Sequence, residues 1–207
     1  MPITKLENFM IAAYFRIKFK DIFDLKEFYS VLHDWLMEYE WESVDSNGNL
    51  EGFASEYWET MYLESEDASG VKDQWWWWRL QKVPSKYYKY HLDIDIRNIA
   101  IATTEVVREG KKLKVNKGEI ELKVWAIIEY DYKGEWSKNP ILKPFREIFH
   151  RRIFFKDLYT ARKLELYREA YILNSFIKRW FKINRFLPFE EVPLFHPSGT
   201  YPAWKPE

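Results

Sequence analysis

Apolar and polar residues alternate with a period of two along much of the first two thirds of the chain. Successive side chains of a β-strand point to opposite faces, so this alternation predicts strands that are buried on one side. The predicted strands are 8–20, 56–64, the run Trp75 to Trp78, 88–107 and 113–130. Together they predict an antiparallel sheet of about five to seven strands. Asn116-Lys117-Gly118 predicts a hairpin turn between the last two of them.

The apolar period lengthens to that of a helix directly after the first predicted strand. Asp24 is a favourable N-cap, because Glu27 stands three residues later for a capping box and Phe23 and Phe28 are spaced as a hydrophobic staple. The apolar residues that follow at helical spacing are Leu25, Phe28, Leu32, Trp35, Leu36 and Tyr39. We expect this stripe to pack on the sheet.

The C-terminal third of the chain predicts two consecutive helices. The helical period starts after Pro140 and Pro144, becomes irregular at 156–160 and ends near Ile183. In the second helix the predicted core stripe is Leu166, Ala170, Leu173, Ile177 and Trp180. Projected at about 100° per residue, the opposite side of that helix carries Arg168, Tyr171, Lys178, Arg179 and Lys182. The second helix is therefore predicted to have a basic outer face.

The order of these elements predicts the fold class. A strand, a helix, several antiparallel strands and then C-terminal helices form an α+β domain with its helices on one face of the sheet. We expect residues 1–185 to form one such domain. Residues 186–207, where five prolines alternate with aromatic residues, are expected to form an extended arm. Such an arm docks either on its own domain or on another protein, and the sequence does not choose between them.

In the order of its predicted elements over residues 8–183, the chain resembles the helix-grip domains of START-like proteins. That resemblance implies an apolar cavity between a curved sheet and the final helix. A carrier or an enzyme for an apolar small molecule is therefore one functional hypothesis.

Charge is segregated along the chain, although the formal net charge of its 207 residues is +0. Residues 38–67 contain ten acids and no Lys or Arg, whereas residues 143–185 contain twelve Lys and Arg against four Asp and Glu. Such asymmetry concerns partners and solubility rather than fold. The two segments either neutralise each other across the folded surface or leave a basic surface free for a partner.

The basic C-terminal helices are the main candidate binding surface. The candidate residues are Arg151, Arg152, Arg168, Tyr171, Lys178, Arg179 and Lys182. Lys and Arg neutralise phosphate charge, and aromatic rings offer planes on which unpaired bases stack. The main hypothesis is therefore a non-catalytic binding protein, an accessory subunit of a larger assembly that contacts RNA or an acidic protein. A solvated helix face whose long cationic side chains cover core aromatics explains the same pattern, and contact with an anionic membrane surface is a third interpretation.

A second candidate site is the segment His91-Leu92-Asp93-Ile94-Asp95. Period two places His91, Asp93 and Asp95 on one face of a strand. With a distant histidine such as His33 or His150, they form the ligand grouping of facial-triad iron sites, so a metal-dependent enzyme is a further hypothesis. The simpler interpretation is that they form the polar side of a strand whose buried side carries Tyr90, Leu92, Ile94 and Ile96.

Four consecutive tryptophans, Trp75 to Trp78, are the most unusual part of a chain that is 19% aromatic. In an extended strand two of the indoles face each side of the sheet. We expect these rings to be mainly core, since aromatic stripes in strands usually pack, with an aromatic binding surface as the alternative.

Other classes of chemistry lack the residues or the motifs that they need. The chain has no Cys, which removes disulfides, thiolate nucleophiles and cysteine metal sites. It contains no glycine-rich phosphate loop, no nucleophile elbow and no H-E-x-x-H. An enzyme is therefore not favoured, and no cofactor is predicted. No apolar run approaches the roughly 20 residues of a transmembrane helix, and no secretory signal pattern opens the chain, so we expect a cytoplasmic location.

Overall fold

The structure is a computed structural model, and it describes residues 9–44, 50–52, 59–108, 111–142, 145 and 157–183. Within these residues one antiparallel sheet contains seven strands: β1 (Phe9–Phe23), β2 (Glu42–Val44), β3 (Leu50–Gly52), β4 (Glu59–Glu66), β5 (Lys72–Lys82), β6 (Tyr88–Arg108) and β7 (Lys111–Tyr130). The helices are α1 (Leu25–Glu38), the single turn α2 (Glu135–Lys138) and α3 (Lys163–Trp180), which follows a π-helical turn at Asp157–Arg162. The predicted α+β class and antiparallel sheet are confirmed.

The longest strands form the middle of the sheet. The strand order is β1-β7-β6-β5-β2-β3, and β4 pairs with β5 on the same edge as β2. Every neighbouring pair is antiparallel. Antiparallel sheets commonly have one face covered and one polar, which is the alternation that the sequence shows.

The prediction of a hairpin turn at Asn116-Lys117-Gly118 is wrong. These residues lie inside β7, and the two strands instead meet at the pair Arg108 and Lys111. Glycine is needed at this position because β6 carries an extra residue opposite it. A Cβ on Gly118 would lie 2.9 Å from the carbonyl oxygen of Ala100, which itself has φ 53°. The glycine therefore accommodates a β-bulge and not a turn.

The two long helices pack on one face of the sheet, which we call the helix-bearing face. The side chains that β6 and β7 direct into its core are at most 1% exposed: Tyr90, Leu92, Ile94, Ile96, Ile120, Leu122, Val124, Ala126 and Ile128. Full burial of such a residue contributes about 1.5 to 3 kcal/mol relative to leaving it in water. The predicted alternation of these strands is therefore confirmed. Burial of these side chains stabilises the packing of the sheet against the helices.

α1 begins where the capping pattern predicts. The Oδ1 atom of Asp24 accepts a hydrogen bond of 2.9 Å from the backbone N–H of Glu27, an N-cap that stabilises a helix by about 1 kcal/mol. The predicted staple residues Phe23 and Phe28 are both buried. Their rings lie 5.8 and 4.8 Å from the ring of Phe181, which follows α3. The start of α1 is thus packed against the end of α3.

α3 is the second of the two predicted C-terminal helices, and it packs on β1 and β7. Its predicted stripe is confirmed: Leu166, Ala170, Leu173 and Ile177 are buried, and Trp180 is partly buried against the same core. α1 and α3 lie side by side in opposite directions. The ring centroids of Phe28 and Trp180 are 5.0 Å apart, and those of Trp35 and Phe176 are 5.8 Å apart. The preceding segment 146–156 and the predicted arm 186–207 lie outside the described residues.

β5 carries the four tryptophans, two on each face of the sheet. Trp76 and Trp78, which are 5% and 0% exposed, lie on the helix-bearing face. The ring of Tyr29 in α1 contacts both of them, with ring centroids 5.5 and 5.2 Å apart. Trp75 and Trp77 lie on the opposite face, which we call the polar face, and are partly buried. The run is therefore mainly core, as the spacing predicts.

Candidate functional site

An open groove of about 660 Å³ lies between the C-terminal part of α1 and the outer side of α3. We call it the α1–α3 groove. The described residues that line it are Trp35, Tyr39, Tyr167, Arg168, Tyr171, Ile172, Ser175, Phe176 and Arg179. Five of these nine residues are aromatic, two are arginines and none is acidic.

Stacked aromatic rings form the walls of the groove. Trp35 stacks on Tyr39 with the ring centroids 4.0 Å apart. On α3 the rings of Tyr167 and Tyr171 are 4.4 Å apart, because residues four positions apart meet on one face of a helix. These two tyrosines are 41% and 39% exposed. The hydrogen bond with Tyr167, together with burial, raises the pKa of Tyr171.

The arginines of the groove carry charge that no described carboxylate neutralises. Arg168 and Arg179 are both exposed. Within the described part of the chain neither of them forms an ion pair, and the same holds for Lys178 and Lys182 near the end of α3. Within the described residues, these four side chains therefore have no internal counter-charge.

The acidic residues inside α3 are held by partners outside the groove. Glu169 accepts a hydrogen bond of 2.8 Å from the indole N–H of Trp41, and Lys82 Nζ lies 3.4 Å from the same carboxylate oxygen. Glu165 accepts a hydrogen bond of 2.8 Å from Arg162. Neither glutamate lines the groove. The positive charge of the groove is thus preserved by the way the carboxylates of the same helix are paired.

Some of the described carboxylates in the acidic stretch 38–67 have partners close by in the fold. Lys72 Nζ lies 2.6 Å from Glu64 and 3.3 Å from Glu66. Tyr29 donates a hydrogen bond of 2.6 Å to Glu59. In the described ranges, this stretch forms no ion pair with Arg168, Lys178, Arg179 or Lys182.

The structure brings some of the sequence-predicted residues together. Arg168, Tyr171 and Arg179 line the α1–α3 groove. Lys178 is half-buried and Lys182 is exposed at the C-terminal end of α3, and neither lines the groove. The other two candidates, Arg151 and Arg152, lie outside the described residues.

Four aromatic residues of the groove were not predicted as site residues: Trp35, Tyr39, Tyr167 and Phe176. Trp35 and Tyr39 were assigned to the core stripe of α1. Trp35 does belong to the core at 7% exposed, but it also lines the groove. The available signal was the spacing of four residues in both tyrosine-containing pairs, Trp35 with Tyr39 and Tyr167 with Tyr171.

The candidate metal residues His91, Asp93 and Asp95 share the polar face of β6, but each has a charged neighbour. His91 Nε2 lies 2.7 Å from Glu129 Oε2. Arg79 donates a hydrogen bond of 2.6 Å to Asp95, and its Nε lies 3.8 Å from Asp93. Burial raises the pKa of Asp93 against the attraction of Arg79. Among the described residues no group of three or more His, Asp or Glu side chains is placed to hold a metal ion.

No family model, no curated protein and no solved structure matches this chain. The groove must therefore be interpreted from its own chemistry. None of the described helices combines the length and the apolar character that a membrane span requires.

Proposed function

We propose that this protein is a non-catalytic binding protein whose α1–α3 groove takes a single-stranded segment of RNA. The observation that carries the proposal is the placement of exposed tyrosine rings and of arginines without a described ion-pair partner in one groove that no described carboxylate lines. Membership of a larger assembly and a cytoplasmic location belong to the same proposal and are supported by the sequence alone.

The exposed rings suit bases better than they suit any other occupant of this charge. Tyr167 and Tyr171 present adjacent ring surfaces to solvent. A base stacked on an aromatic side chain contributes about 1 to 3 kcal/mol, and every base has a face that can stack. An acidic protein segment would use the arginines but would leave these planes without a partner. The combination therefore favours RNA over an acidic protein.

The arginines supply the part of the affinity that depends on salt. Arg168 and Arg179 flank the rings and can each face a phosphate of the bound strand. Each phosphate that a cation neutralises releases counterions, so affinity falls as the salt concentration rises, with a slope of about 0.7 for each contact to a single strand. Association is therefore expected to weaken steeply with salt.

The packing beneath α3 favours the groove over an interior cavity as the binding site. Leu166, Leu173 and Ile177 are fully buried against the sheet, and Phe15 of β1 fills the same layer. A ligand cavity of the kind that the helix-grip resemblance implies would require these side chains to separate. The carrier hypothesis therefore has less support than the groove.

The test is the affinity of the whole protein for a labelled oligouridylate of about 10 nucleotides, measured by fluorescence anisotropy over a series of salt concentrations. Tyr171→Ala removes a stacking plane and should lower the affinity by about tenfold, whereas Tyr171→Phe keeps the ring and should stay near the wild type. Reversing both groove charges with Arg168→Glu and Arg179→Glu should abolish binding at moderate salt.

Tyr14→Ala is the matched control, because Tyr14 is 49% exposed and contacts Trp125 on the polar face, far from the groove in the fold. It should leave the affinity unchanged. The proposal fails if the wild-type protein does not bind the oligonucleotide, or if Tyr171→Ala binds as well as the wild type. Equal competition by polyglutamate, with no effect of Tyr171→Ala, would instead indicate an acidic protein partner.

A further inference from the structure

The hairpin of β6 and β7 extends beyond the rest of the sheet. Toward the hairpin turn, the pairing of β6 with β5 stops at Ile101. On the other side, the pairing of β7 with β1 stops at Asn116. Beyond them, 104–108 and 111–115 pair only with each other. We call this segment the β6–β7 ribbon. Its five residue pairs give it a length of about 17 Å.

The ribbon is basic, and two of its lysines are exposed. Residues 104–115 contain four Lys or Arg and two Glu. Lys112 and Lys114 are both exposed. Among the described residues of the ribbon, the only ion pair is a loose one, with Lys112 Nζ 3.8 Å from Glu105 and both side chains more than half in solvent. Such an exposed pair contributes little, so the ribbon keeps most of its positive charge.

Strand register places these lysines on the side of the sheet that carries the helices. Asn116 lies on that side, since its side-chain oxygen accepts a hydrogen bond of 3.3 Å from the backbone N–H of Leu25 at the start of α1. Alternate residues of a strand share a face, so Lys114 and Lys112 continue the same side along the ribbon. Lys117 is exposed on the opposite side.

The base of the ribbon adjoins the C-terminal end of α3. Phe181 contacts Phe19 and Phe23 with ring centroids 4.6 and 5.8 Å apart. Phe23 pairs directly with Asn116, where the ribbon begins. Lys178 and Lys182 flank Phe181 in the sequence, and they form no ion pair in the described residues. Lys182 therefore lies beyond Arg179, at the end of α3 that adjoins the ribbon, and Lys178 lies beside Arg179 on the same helix.

We propose that the β6–β7 ribbon is a second RNA contact, which receives the strand where it leaves the α1–α3 groove. The inference rests on the proposed function of the groove. A positively charged track that follows the backbone beside aromatic stacking planes is how proteins hold single strands. The ligand is accordingly a single-stranded RNA that is longer than the groove, and its phosphates pass over the end of α3 to Lys114 and Lys112.

The test compares a short oligouridylate of about 5 nucleotides with a long one of about 20 nucleotides on the whole protein. Lys112→Glu with Lys114→Glu should lower the affinity for the long strand by about tenfold and reduce its salt slope by about 1.4. The same variant should bind the short strand as the wild type does. Tyr171→Ala should weaken the binding of both strands.

Lys20→Glu with Lys117→Glu is the matched control, since both lysines are exposed at the same end of the sheet on its polar face. This variant makes the same charge change and should leave both affinities unaltered. The inference is overturned if it weakens the long strand as much as the ribbon variant does, or if the ribbon variant weakens both strands equally or neither. The inference is also overturned if the ribbon variant loses affinity for a duplex RNA but not for the long single strand. Failure of the wild type to bind either strand would overturn the groove and the ribbon together.

Discussion

The polar face of the sheet and the α1–α3 groove both place arginines beside aromatic rings. Among the described residues, these arginines form ion pairs with carboxylates only on the polar face. Arg79 lies 5.4 Å from the ring centre of Trp77 and pairs with Asp93 and Asp95. Arg168 and Arg179 lie among the groove rings without an ion pair in the described residues. An arginine neutralised inside the fold is part of what holds the fold, whereas one without an internal partner is available to a ligand.

The rest of the polar face repeats this internal neutralisation. Glu121 is 6% exposed and lies 2.8 Å from Arg16 and 3.3 Å from Lys123. Burial works against ionisation, but hydrogen bonds from these two cations lower the pKa of Glu121. Lys18 lies 2.6 Å from Glu119 across the same pair of strands. Opposite charges facing each other on adjacent strands stabilise a sheet, so a dense charge pattern is in this region a structural feature.

The largest expected effect comes from removing Arg79. Its side chain is 15% exposed and that of Asp93 is 8% exposed, so Arg79→Met leaves a buried carboxylate without its cation. Breaking a buried pair in this way costs about 3 to 5 kcal/mol of the free energy of unfolding. Urea denaturation followed by tryptophan fluorescence measures the loss. Arg168→Met in the groove should change the same quantity by less than about 0.5 kcal/mol.

Neutralising Asp93 and Asp95 in the Arg79→Met variant tests whether the lost stability comes from the unpaired carboxylates. Arg79→Met combined with Asp93→Asn and Asp95→Asn leaves no buried charge uncompensated and should recover most of the lost stability. A loss below about 1 kcal/mol for Arg79→Met, or an equal loss for Arg168→Met, would mean that the two regions do not differ in the way proposed.

The fold could be predicted from the sequence to the extent that it depends on local periodicity. The alternation in β6 and β7 and the Asp24 cap of α1 depend on residues close in sequence, and both are confirmed. The prediction of a turn at Asn116-Lys117-Gly118 was wrong because a glycine two residues after an asparagine has the same local signature at a turn and opposite a bulge. Only the approach of Ala100 across the sheet distinguishes them.

Only one wall of the candidate site could be predicted from the sequence. The outer face of α3, with Arg168, Tyr171 and Arg179, follows from a helical projection. The other wall requires α1 and α3 to lie side by side, which is a consequence of tertiary packing. Trp35 serves in both the core and the groove, and a sequence pattern assigns each position to one face only.

A smaller effect is expected from the bond that keeps a carboxylate of α3 out of the groove. Trp41 is 1% exposed and donates its indole hydrogen bond of 2.8 Å to Glu169. Trp41→Phe keeps most of the ring but removes the donor, which should cost about 2 kcal/mol in the free energy of unfolding because the acceptor is charged and partly buried. Thermal and urea denaturation of the variant measure this loss.

The partner variant Glu169→Gln tests whether that cost comes from the hydrogen bond. With a neutral acceptor in place, Trp41→Phe should cost clearly less than it does beside the glutamate, which a double-mutant cycle would show as a coupling energy. If the cost is the same in both backgrounds, the effect is one of ring packing, and Glu169 is not held by Trp41.

The smallest expected effect tests the local neutralisation of the acidic stretch. The hydrogen bond from Lys72, with those from Tyr62 and Gln74, lowers the pKa of Glu64 to about 2. A lowered pKa in the folded state stabilises the protein above the ordinary carboxyl pKa of about 4.3, and this stabilisation is lost as the pH falls toward 2. Because the pair is largely exposed, Glu64→Gln should cost less than about 1 kcal/mol at pH 7.

The pH dependence separates this local pairing from a long-range attraction to the cations of α3. The stability difference between wild type and Glu64→Gln, measured by urea denaturation, should shrink as the pH falls from neutral toward 2. It should also be smaller at pH 7 when Lys72→Met is present, since Lys72 supplies the largest part of the shift. A difference that survives Lys72→Met but disappears on reversing Arg168 and Arg179 would show that the acidic stretch neutralises the groove. The contrast between the two regions would then be lost.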